Sequence, residues 1–121
     1  MARWRGQAIE IFPMHKKMIS KASSVMSLWS DLRILFEQAV AENETETIEQ
    51  VRKYMDYSLK SQNQELLTAV ACAFIEHLPE HPQTRKFIPL WFSKAEFLEM
   101  KELFGYHSNA EDFEAILKMY K

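Results

Sequence analysis

Glycine is the first scarcity: the 121-residue chain holds only Gly6 and Gly105. Ordinary usage of about 7% would give roughly eight in this length. Hairpin turns and phosphate-cradling loops both lean on the positive φ that glycine adopts at no steric cost. Two glycines set so far apart exclude the dinucleotide and P-loop fingerprints and argue against a β-barrel or sandwich. Cysteine is scarcer still. Cys72 alone cannot close an internal disulfide, which fits a reducing, cytoplasmic setting. The longest apolar run falls well short of the roughly 18 residues a membrane-spanning helix needs, so no span is expected. Neither charge sign dominates, with 15 Lys and Arg against 17 Asp and Glu. What remains is a soluble all-α domain, expected as one compact bundle of about five to seven mostly antiparallel helices with no sheet.

The charges are unevenly placed. Residues 1–21 carry Arg3, Arg5, Lys16, Lys17 and Lys21 against Glu10, a net of +4, which leaves the other hundred residues at −6 within a total of −2. An acidic body repels a phosphate backbone, so nucleic-acid binding has only this short segment to rest on and is not expected. Glu10, Pro13, His15, Lys16 and Lys17 interrupt the apolar run that a secretory signal requires. A basic amphipathic presequence is the alternative; a short docking helix ended by Pro13 is the simpler reading. The chain is therefore read as a single domain over 1–121, its core over 24–120 and a basic segment over 1–21 peripheral to it.

Apolar spacing of three and four places a helix from Ser24 to Glu42 through Val25, Leu28, Trp29, Leu32, Leu35, Phe36, Ala39 and Val40. The Asn and Thr residues of the following Glu42–Thr47 stretch are expected to cap a second helix running to about Lys60. A third, Gln64 to Leu78, is the least polar and is expected at the centre, ended by Leu78-Pro79. Residues 81–92 read as a short helix followed by an extended connection. Ser93-Lys94-Ala95-Glu96 fits a capping box and opens a helix with Phe97, Leu98, Leu103 and Phe104 inside and Met100 turned away. Asn109 caps a last helix with Phe113, Ile116, Leu117 and Tyr120 inside. Gly105 is expected in the left-handed conformation that closes a helix.

Candidate chemistry is thin. His77 and His81 are four apart, with Glu76 and Glu80 beside them, but Pro79 ends the helix between the two imidazoles; His15 and His107 stand apart. No metal or cofactor is expected. Cys72, mid-helix among alanines, reads as an inert, buried or half-buried thiol. Glu76 draws attention as a carboxylate in the most apolar helix, which must reach solvent, a cation or a backbone donor. An arrangement of exposed charges offers more. Projected at 100° per residue, the second helix turns Ile48, Val51, Met55 and Leu59 inward and Tyr57 directly away, with Lys53 and Lys60 a turn to either side, Glu46, Glu49 and Asp56 on the same half, and Tyr54 at the border. Glu46, Glu49, Lys53, Tyr54, Tyr57 and Lys60 thus form the candidate partner-binding face, tyrosine being enriched at interface hot spots. An ordinary solvated helix face is the alternative. Ile34 also points off its helix's main stripe.

Glu49-Gln50-Val51-Arg52-Lys53-Tyr54-Met55, the turn at Gln62-Asn63-Gln64, and Ala69-Val70 leading to Phe74-Ile75-Glu76-His77-Leu78 resemble a family of small all-helical bacterial proteins, mostly of unassigned function, that are similar to immunity proteins of toxin systems. The likeness continues through Phe87 and Trp91 and covers about residues 40–105; the basic N-terminal segment lies outside it. It implies a protein that binds a partner, often a toxin, and blocks it without chemistry of its own, and it carries no catalytic residues. The expected function is accordingly a non-enzymatic protein-interaction module. The alternatives are a small helical enzyme or ligand-binding domain around Glu76, with His77, Trp29 or Phe36 lining a pocket, and a subunit of a helical assembly.

Overall fold

The computed structural model of the chain describes residues 3–106 and 108–120, and within them every regular element is helical. The elements are α1 (Arg3–Ile11), the 3-10 turn η1 (Pro13–His15), α2 (Lys16–Lys21), α3 (Val25–Glu42), α4 (Thr45–Leu59), α5 (Gln64–Ala73), the 3-10 turn η2 (Ile75–Glu80), α6 (Pro82–Arg85), α7 (Phe87–Trp91), α8 (Lys94–Glu99), α9 (Lys101–Phe104) and α10 (Ala110–Leu117). The all-α class holds, but the expectation of five to seven helices does not: the second half of the chain is divided into short pieces.

The long helices form where the spacing places them. Ser24 accepts a hydrogen bond from the Ser27 amide and starts α3, whose buried stripe is Val25, Leu28, Trp29, Leu32, Phe36, Ala39 and Val40. Asn43 ends it in the left-handed conformation (φ 56°, ψ 37°), the one positive φ among the described residues. This corrects two expectations. Asn43 closes α3 instead of capping α4, whose N-cap residue Glu44 makes no side-chain capping bond, and Gly105 is right-handed (φ −83°, ψ −11°). A Cβ at Gly105 would approach the Lys101 carbonyl oxygen to 3.3 Å, so its smallness matters more than its freedom of φ.

Proline explains why α5 is shorter than expected. Pro79 lacks an N–H and its ring opposes an α-helical carbonyl four residues back, so the chain leaves α geometry at Phe74 (φ −130°, ψ −66°) and continues as η2. The carbonyls this frees are taken up by α6. Thr84 Oγ1 donates to the Leu78 oxygen at 2.7 Å, and Arg85 donates to the Pro79 oxygen from Nε (3.1 Å) and a terminal nitrogen (2.8 Å). Residues 87–91 are helical instead of extended, because Pro89 sits in the first turn of α7, where no intrahelical donor is required of it. The capping box at Ser93 forms as read, and the Asn109 cap is completed by Asp112 into a second box. Between them Met100 (φ −98°, ψ 18°) interrupts the helix and resets its phase, leaving Leu98 exposed while Met100 itself packs against the core.

A column of aromatic rings runs through the core. Trp29 lies 4.9 Å from Phe74 and 5.4 Å from Tyr54, and Phe36 meets Phe74 at 5.1 Å. Phe97 gathers Phe104, Phe113 and Tyr120 at the C-terminal end, and the Tyr120 hydroxyl donates to the Phe92 carbonyl at 3.0 Å. The segment expected to be peripheral belongs to this core: Ala8, Phe12 and Ile19 are wholly buried, and α1 packs on α2 and α4. Arg5 completes α2, donating to the carbonyls of Ile19 (2.6 Å), Ser20 (3.1 Å) and Ala22 (2.9 Å) at its C-terminal end. If the segment is part of the core, Phe12→Ala lowers unfolding free energy by about 3–5 kcal/mol in urea denaturation, the usual cost of a buried aromatic. A loss below about 1 kcal/mol, typical of a surface change, would return the segment to the periphery.

Candidate functional site

The outer side of α4 is shaped by α1, which the sequence does not place there. Gln50 Nε2 donates to the Ile11 carbonyl at 3.0 Å, and the Tyr54 hydroxyl donates to the Trp4 carbonyl at 2.9 Å, so α1 is held along α4 at both ends. Tyr54 is therefore wholly buried, stacked on Trp29 and on Tyr57 (5.6 Å), and is removed from the candidate partner-binding set. Tyr57 does not face open water either. It is half-buried, and its exposed edge lines a cavity of about 340 Å3 with Arg3, Trp4, Ser61, Gln62, Asn63 and Leu66.

Three residues of the expected face do come together. Glu46, Glu49 and Lys53 line a cavity of about 390 Å3 on the α1 side of α4, with Gln7, Glu10, Ile11 and Gln50. A second cavity of about 520 Å3 shares Glu46 and Gln50 and continues past Glu44 to Met14 and His15. The two form one groove, with half-buried Gln50 common to both parts and exposed carboxylates along it. Lys60 is exposed at the C-terminal end of α4 and lines neither part. Glu10, Glu44, Gln7, Gln50 and Met14 are additions to the set. The available signal was Phe12 four residues after Ala8, which gives α1 an inner face; nothing local says that this face lies on Tyr54.

Glu10, Glu46 and Glu49 bring three negative charges and Lys53 one positive, and the N-terminal end of α4 adds roughly half a positive charge, leaving about −1.5 before Glu44 is included. Among the described residues none of these carboxylates forms an ion pair within 4 Å. The groove carries a net negative charge.

The other candidates are placed differently. Cys72 is exposed, not buried, because α5 turns Leu66, Ala69, Val70 and Ala73 inward. Trp29 and Phe36 are buried within the aromatic column; Trp29 Nε1 donates to buried Ser58 Oγ at 3.2 Å. Glu76 is half-buried 3.9 Å from His77 Nε2, while His77 Nδ1 lies 2.9 Å from Glu80 Oε1. The two carboxylates thus address opposite ring nitrogens, which does not converge on one ion, and the described residues contain no group of three or more candidate metal ligands. His81 is exposed, and His107 lies outside the described residues. No described helix is long and apolar enough to cross a membrane.

Compared with family models, curated proteins and solved structures, the chain matches none of them. What the structure offers is an all-helical chain with an open groove of net negative charge between α1 and α4.

Tyr54 allows a test of how α1 is seated. Burial, and secondarily the neighbouring Tyr57, hold its phenol above the ordinary value. Above about pH 10 the phenol of the unfolded chain ionises first, so the unfolded state binds fewer protons and stability falls as pH rises; below that pH the contribution is fully present. Tyr120 is shifted the same way, chiefly by burial and then by Glu96, so the difference between proteins is what informs. Tyr54→Phe is expected to show a shallower loss of stability than wild type in urea melts between about pH 9 and about pH 11. Parallel curves would place Tyr54 in contact with water, with α1 lifted from it.

Proposed function

We propose that the chain is a non-enzymatic protein-interaction module of the bacterial cytoplasm whose docking surface is the α1–α4 groove, and that it binds and blocks a partner presenting lysine or arginine, in the manner of the immunity proteins it resembles. The observation that carries this is the meeting of Glu10 from one helix with Glu46 and Glu49 from another along one open groove. Exposed ion pairs are each worth at most about 1 kcal/mol, so several must act together, and their main effect is on the rate and selectivity of encounter. Met14, 89% exposed at the groove's far end, adds an apolar contact. The residues that resemble the immunity-like pattern include Glu49, Gln50 and Lys53 of this groove.

Affinity capture from the source cell tests it. Wild type is expected to retain a partner that elutes with salt; E46R/E49R should lose it, with at least a tenfold weaker apparent affinity, and Lys53→Glu should hold it at least as well. Retention by E46R/E49R equal to wild type would remove the groove from the interface. Tyr57→Ala asks separately whether the neighbouring cavity with Arg3 and Trp4 takes part: the fold should persist and capture should weaken if it does.

A further inference from the structure

The groove's edge is shared with a surface of opposite charge. Lys16, Lys17 and Lys21 are all exposed on α2, and the two residues immediately before them, Met14 and His15, line the same cavity as Glu44 and Glu46. A fourth basic side chain, Arg5, is engaged with the carbonyls at the end of α2 and does not add to the surface. The η1–α2 segment, which carries three exposed lysines and an 89% exposed methionine, therefore begins at the rim of a groove lined by Glu10, Glu44, Glu46 and Glu49. Among the described residues no ion pair within 4 Å joins the two surfaces inside one chain.

We infer that a second copy of this chain occupies the groove, the η1–α2 ridge of each copy lying in the α1–α4 groove of the other about a two-fold axis near Met14. A two-fold pairing needs one patch that is its own complement, in which neighbouring halves exchange partners across the axis. Adjacent surfaces of opposite sign and a shared apolar edge meet that requirement. A foreign basic element would satisfy the groove and leave the ridge uncovered, and an acidic one would do the reverse; a second copy answers both at once and buries both Met14 side chains. The inference rests on the groove being the docking surface proposed above, and it makes self-association and partner binding mutually exclusive.

Sedimentation velocity of the full chain tests it with two charge-reversed variants, K16E/K17E and E46K/E49K. Wild type should be a reversible dimer at low salt, with a dissociation constant rising at least about tenfold at high salt as exposed charges are screened. Each variant alone should be monomeric, since its ridge and groove then carry the same sign. Mixed in equal amounts, the two should form mixed dimers, because each ridge again faces a groove of opposite charge; this recovery also shows that both variants are folded. Wild type that stays monomeric into the high-micromolar range, variants that dimerise as wild type does, or a mixture that remains monomeric would each overturn the inference. The outcomes separate from those of the capture experiment. A monomeric wild type with capture lost in E46R/E49R defeats self-association alone, whereas mixed dimers with capture undiminished defeat the proposed function alone.

Discussion

The burial of Tyr54 is the constraint on which the N-terminal half depends. Its ring fills the space between Trp29, Phe12 and Tyr57, and a buried phenol left without a partner costs about 1–3 kcal/mol. The only protein acceptor its hydroxyl reaches among the described residues is the Trp4 carbonyl, so α1 must lie where it does for the core to close. Ser58 repeats the logic one turn later: it is wholly buried, accepts from Trp29 Nε1 and donates to the Tyr54 carbonyl at 2.8 Å. The aromatic column is thus pinned at its polar atoms, and the position of α1 follows from satisfying them.

The same demand recurs wherever a helix stops early. Short helices leave many carbonyls without intrahelical donors, and the chain answers with side chains from the next element. Arg5 serves the end of α2, Thr84 and Arg85 serve η2, and Tyr120 reaches the carbonyls of Ile88 and Phe92 from beyond α10. Arg85 also contacts Asp112 at 3.1 Å, so one guanidinium ties η2 to α10. In this fold two arginines, Arg5 and Arg85, act as internal fasteners, and the positive charge left for the surface is smaller than the residue count suggests.

That distinction marks the boundary of what the sequence discloses. α3 and α4 were legible because their stripes repeat over several turns and one face decides everything. The capping box at Ser93 and the cap at Asn109 were legible because the signal is local. The breaks at Phe74 and Met100 were not, since Pro79 ends α geometry more than a full turn before its own position and no proline or glycine marks the interruption at Met100. Tyr54 and Tyr57 show the limit most clearly. A helical wheel reports which side of α4 faces α3 and α5, and it is silent about a further helix arriving on the opposite side. Once α1 arrives, one tyrosine enters the core and the other is half-covered, while Glu46, Glu49 and Lys53 gain Glu10 as a neighbour. The carboxylate face was visible in the sequence; the groove was not.

The exposed charges that remain are sorted by what the fold has no use for. Arg5 is drawn inward because carbonyls at the end of α2 need a donor; Lys16, Lys17 and Lys21 have no such role and stay in water. Glu46 lies in the first turn of α4, where the helix dipole favours it by at most about 1 kcal/mol, and Glu10 and Glu49 have no comparable structural reason to stand beside it. Placing three carboxylates of two helices along one groove raises mutual repulsion, modest in water but unfavourable in sign. Lys53 and the positive end of α4 offset part of that repulsion, and the net negative charge that remains is what a basic partner of the kind proposed above would neutralise. It is this net charge, more than the exposure of any single residue, that directs attention to the α1–α4 groove.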